Sequence, residues 1–216
     1  MLDVGAPTHG FALPGLGRTD MRDWTLAGGH LAERCQLVVL IALGESVFAV
    51  GATFSGLSWS AATVAAFVIG FVGTVSLWWL YFLREAEKGA RALAGAADPA
   101  RLGRAGYAYA HAIMVGGVIV VAVAIERTIQ DPTGSTSGAT AAVIVSGPAL
   151  YLAGNALFNL SLWARPPWSR LAGIAALGLL GPFALVLAPL VLSALATLVT
   201  VVVAVGAGTP RRPEPT

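Results

Sequence analysis

Trp59 to Leu83, 25 residues, and Leu171 to Gly208, 38 residues, run without a charged side chain for longer than a core helix needs. A helix rises ~1.5 Å per residue, so the first stretch crosses a ~30 Å hydrocarbon layer with some tilt, and the second is long enough to cross twice. Backbone in hydrocarbon must satisfy its own hydrogen bonds, which leaves helices as the form these runs can take. The expected architecture is therefore all-α, a polytopic transmembrane bundle.

Composition agrees. Of 216 residues, 56% are hydrophobic and 11% charged, against about 25% charged in ordinary soluble domains. A net charge of +2 without a basic tract excludes a nucleic-acid partner. The single cysteine, Cys35, rules out an intrachain disulfide and reads as a buried, inert thiol. The first thirty residues lack the basic start, apolar core and cleavage site of a secretory signal, so the spans themselves are expected to drive insertion.

The hydropathy pattern predicts about six spans, at 35–54, 59–83, 105–125, 139–164, 171–187 and 188–208. A lead-in precedes them at 1–30 and a short tail follows at 209–216. Between the second and third spans, Arg84 to Arg104 is a charged surface segment in which Asp98-Pro99 would stop a short helix. Gly181-Pro182 and Pro189 are the expected turning places in the last hairpin. This arrangement puts twelve of the 13 basic residues on one side and Arg127 alone on the other. Cytoplasmic loops retain Lys and Arg, so both termini are expected on the cytoplasmic side. Trp78, Trp79, Trp163 and Trp168 fall at span ends as interfacial anchors, while Gly44, Gly51, Gly70 and Gly73 suit close helix approach.

One residue stands out in this frame. Glu45 lies ten residues beyond Cys35, about 15 Å into the layer, where a charged carboxylate facing lipid costs about 2.5–3.5 kcal/mol. His30, Arg34 and Glu45 fall within about 60° on a helical wheel, but Arg34 is ~16 Å away along the axis and cannot pair with Glu45. Depth points instead to His111 on the third span and Asn155 on the fourth. Tyr107 and Tyr151 lie one turn from these on the same stripes. A cluster of Glu45, His111, Asn155, Tyr107 and Tyr151 would bind or exchange a proton or a small cation. His30, Glu33 and Arg34 form a second candidate group at the inner interface. No Walker loop, HExxH, paired-cysteine or GxSxG motif is present, so soluble-type catalysis is not expected, no cofactor is called for, and any metal is left unassigned.

The segments DWTLAGGHLAERCQLVVLIALGES, WWLYF, YAYAHAIMVGGV and PALYLAGNALF, in that order, resemble the bacterial low temperature requirement A family. The resemblance fades over the last two helices. It implies a polytopic membrane protein with a role in growth at low temperature, and it marks His30, Glu33, Arg34, Gly44, Glu45, Tyr107 and His111 as motif positions. Asn155 stands where family members often carry histidine. Family members are usually nearly twice as long, so this chain resembles their C-terminal half, and a separate first half or a second copy is an expected partner beside the bilayer. The biochemical expectation is transport or ion handling centred on Glu45. The alternatives are a membrane enzyme acting on a lipid-linked substrate through His30, Glu33 and Arg34, or an assembly partner without chemistry.

Overall fold

The computed structural model describes residues 28–83, 86–94, 107–163 and 166–206, and no strand occurs among them. Seven α-helices follow in order: α1 Gly28–Ser55, α2 Ala61–Phe82, α3 Ala86–Ala94, α4 Ala110–Gln130, α5 Gly138–Trp163, α6 Trp168–Leu180 and α7 Pro189–Gly206. Five helices are long and apolar enough to cross a membrane. The lead-in before residue 28, Asp98-Pro99 and the tail lie outside the described residues.

Helix boundaries follow local chemistry. Ser60 caps α2, its hydroxyl accepting from the Thr63 amide at 3.1 Å, so the helix starts two residues after Trp59. α1 starts at Gly28, ahead of the expected 35, which places His30, Glu33 and Arg34 on the helix itself. α4 is preceded by a wide π turn at Tyr107 to Tyr109, and it continues past 125 to include Glu126 and Arg127.

The last hairpin differs from two full-length spans. α6 has 13 residues, ~20 Å, because Gly181-Pro182 ends it in a 3-10 turn, Gly181–Phe183. An irregular segment then leads to α7, which begins on Pro189, where a missing amide proton is harmless. That segment meets the loop after α4: Leu190 N–H donates to the Pro132 carbonyl at 3.0 Å, and the Thr136 hydroxyl donates to the Leu187 carbonyl.

α4 is the hub, packed against α1, α2, α5 and α7. It approaches α5 backbone to backbone. A Cβ on Gly117 would lie 2.5 Å from the Tyr151 amide nitrogen, and one on Gly154 would lie 2.8 Å from the Ala110 carbonyl oxygen. Hydroxyls bridge α7 to two helices, with Thr128 of α4 and Ser193 of α7 2.8 Å apart and Ser76 of α2 donating to Thr200 of α7 at 2.9 Å. α1 is peripheral. Only 22% of its most apolar window is buried, against 56% for α5. Its buried stripe is Ala32, Val39, Leu43, Ser46 and Val50. The short α3 is amphipathic, with Ala86, Gly89 and Leu93 buried and Glu87, Lys88 and Arg91 exposed, and it lies against the start of α1. Arg34, Lys88, Arg91 and Arg170 therefore gather at one end of the bundle, the basic end, and Arg127 is at the other.

Candidate functional site

The polar residues singled out in the sequence fall into three places. The first is an aromatic cluster at the basic end. His111 is 3% exposed, stacks on Tyr107 with ring centroids 5.3 Å apart, and meets Tyr81 and Phe158 edge to face. Its Nδ1 is 2.7 Å from the Tyr107 carbonyl oxygen. A carbonyl only accepts, so Nδ1 carries the proton, and the neutral ring offers Nε2 as acceptor to the Tyr81 hydroxyl at 2.6 Å. Gly89 of α3 closes over this cluster. A Cβ there would come within 2.6 Å of Phe158 and 2.8 Å of the Tyr107 hydroxyl, which is buried without a hydrogen-bond partner. Tyr81→Phe leaves Nε2 buried with no donor, so it should lower stability by about 1–3 kcal/mol, read as a fall in the thermal unfolding midpoint in detergent.

The second place lies between α5 and α6. The Asn155 side-chain oxygen accepts from Arg170 Nε at 3.0 Å, and both residues are buried. Asn159 Nδ2 donates to the Asn155 carbonyl at 3.1 Å. Tyr151, on the same stripe, donates to the Leu77 carbonyl at 2.8 Å and thereby ties α5 to α2.

The third place is Glu45, which does not join Asn155 and Tyr151. Matching depth suggested one cluster, but α1 docks on the side of α4 away from α5, and the buried stripe of α1 leaves Glu45 exposed. Glu45 faces instead a cavity of about 480 Å³ between α1 and α4, with Val38, Ile41, Ser46, Ile119, Val123 and Glu126 among its walls. Two further cavities share lining residues with it. One, of about 300 Å³, shares Val38 and Val115 and reaches Arg34, Cys35 and His111. The other, of about 450 Å³, shares Val123 and Glu126 and reaches Arg127, Gln130 and Asp131. The cavity at Glu45 and the one reaching Arg34 form one furrow along the seam of α1 and α4, and the third, lined by α4, Asp131 and Thr140 of α5, adjoins its far end at Val123 and Glu126. Their ionisable groups are Arg34 and His111 near the basic end, Glu45 in the middle, and Glu126, Arg127 and Asp131 at the far end. From His111 to Glu126 is fifteen residues of helix, ~22 Å.

His30 and Glu33 form an exposed pair one turn apart, Nδ1 to Oε2 3.6 Å, at the start of α1. Three contributors to these sites were not singled out beforehand. They are Tyr81, near the end of the span expected at 59–83, Glu126, just beyond the one expected at 105–125, and Arg170, between those expected at 139–164 and 171–187. Tyr81 had a legible signal, since it stands near the same membrane face as Tyr107 and His111. Among the described residues, no three His, Cys, Asp or Glu side chains converge as metal ligands would.

Several long apolar helices around a hub, with ionisable groups strung along one seam, define a multi-pass helical membrane protein. The chain belongs to the bacterial low temperature requirement A protein family, whose model matches residues 1–205. It is 30% identical over 178 residues to an uncharacterized protein of Rhizobium meliloti (strain 1021), a match that covers 82% of this chain and 43% of that relative. The chain thus spans less than half the length of the curated relative it matches. No solved structure matches it.

Proposed function

We propose that this protein moves protons or small cations across the bacterial cytoplasmic membrane along the α1–α4 furrow, in support of growth at low temperature. One observation carries the reading: a carboxylate stands at mid-depth, exposed from its own fold, in a furrow with ionisable groups toward both ends. Ionisable side chains at membrane depth are costly, and where they occur they mark ion or proton routes. Glu45 is the central site. Glu126 serves as the far-end acceptor, and His111, a neutral ring whose edge borders the furrow, as the relay toward the basic end, which faces the cytoplasm. A further helical unit, either the other half of the longer relatives or a second copy of this chain, covers the open side of the furrow and screens Glu45 from lipid.

The test is flux in sealed proteoliposomes. The full chain should dissipate an imposed proton or alkali-cation gradient faster than empty vesicles, and that excess should vanish with Glu45→Gln. Equal flux with and without Glu45 would count against the reading.

A further inference from the structure

The stretch of furrow nearest the basic end holds a feature that ion movement leaves unused. Arg34 stands at its mouth, exposed, and makes no ion pair among the described residues, because its neighbour Glu33 is turned to His30. Beyond the guanidinium the cavity of about 300 Å³ is walled chiefly by apolar groups, Cys35, Val38, Ala108, Ala112 and Val115. The small Ala108 and Ala112 make this stretch a slot between two helices. From Ala108 to Val115 it extends ~10 Å along α4, which fits within one leaflet of a ~30 Å hydrocarbon layer.

We propose that this slot seats an anionic phospholipid, with its phosphate on Arg34 and one acyl chain against Ala108, Ala112 and Val115. Charge complementarity selects the headgroup. A guanidinium forks onto phosphate oxygens, and a lipid with no ammonium of its own adds no repulsion toward Arg34. The surroundings strengthen the preference, since Lys88 is exposed on α3, the amphipathic helix packed against the start of α1. Basic groups beside a cleft between transmembrane helices on the cytoplasmic side are a recurrent setting for anionic headgroups. The seat does not depend on Glu45 carrying ions. A chain that binds lipid at Arg34 but moves no ion would retain this inference and lose the other.

The experiment measures lipid binding to the purified full chain in detergent, by native mass spectrometry and by the thermal unfolding midpoint. Phosphatidylglycerol and phosphatidylcholine of identical acyl chains are compared, with inorganic phosphate as a third arm. Phosphatidylglycerol should stay bound and raise the midpoint more than phosphatidylcholine. Arg34→Gln should lower its affinity about tenfold and remove most of that difference. Ala112→Trp should displace the lipid while leaving Arg34 in place, and Ala112→Leu serves the same purpose if the larger side chain prevents folding. Equal binding of the two lipids, an unchanged preference in Arg34→Gln, or full stabilisation by inorganic phosphate alone would overturn the proposal.

Discussion

Glu45→Gln is expected to reduce ion flux about a hundredfold and, in the same protein, to raise the unfolding temperature. Both effects have one origin. A carboxylate at mid-depth costs the fold about 2.5–3.5 kcal/mol, and it lowers the barrier for a passing proton or cation by a similar amount, which corresponds to a factor of about a hundred in rate. The neutral amide keeps the size of the side chain and removes the charge. The two readouts should therefore move in opposite directions, which a purely structural role for Glu45 does not produce. A helix-bridging carboxylate would lose stability when neutralised, and flux would follow only through misfolding. Glu45→Asp, which keeps the charge on a shorter arm, should retain much of the flux.

Gly117→Val is expected to be the most damaging substitution to the fold. The position for a Cβ lies 2.5 Å from the Tyr151 amide nitrogen and 2.8 Å from its Cα, so the obstacle is backbone and cannot turn aside. Accommodating the side chain means separating α4 from α5. That separation would disturb the Tyr151 bond to Leu77 and loosen the helix that carries His111. Overpacking usually costs about 1–3 kcal/mol, and a clash with backbone belongs at or above the top of that range. Loss of a cooperative thermal transition, or failure of the protein to survive extraction, should report it. Gly44→Val is the matched control. Its Cβ meets nothing within 4 Å, and stability should hardly change.

The contrast between these two glycines marks what the sequence can and cannot convey. Length and charge depletion place the spans, because the thickness of the hydrocarbon layer dictates how many uncharged residues a crossing needs. The fifth expected span, 171–187, is the exception. Its residues are apolar enough, but Gly181-Pro182 stops the helix at Leu180, and contacts from the irregular segment to the loop after α4 complete the hairpin. Depth was also legible, since it is counted in residues from a span boundary, and it put His111 and Tyr107 at a shared level where they do stack. Rotation about each helix axis was not. Gly70 faces Ile125 and Gly73 faces Thr197, whereas Gly44 and Gly51 face open space, although all four looked alike as small residues on apolar helices. The same unknown joined Asn155 to Glu45 on paper. Their helices sit on different sides of α4, and Asn155 is held by Arg170, a residue that the sequence assigned to a loop.

Glu45 is central to this account because protons or ions must reach it through the furrow, and the access of water to its position tests that most directly. With Cys35→Ser in the same chain, Glu45→Cys in sealed proteoliposomes should be modified by a small water-soluble thiol reagent. If a lipid-soluble reagent modifies that position and the water-soluble one does not, position 45 meets lipid alone, and the furrow is a packing seam, not a route.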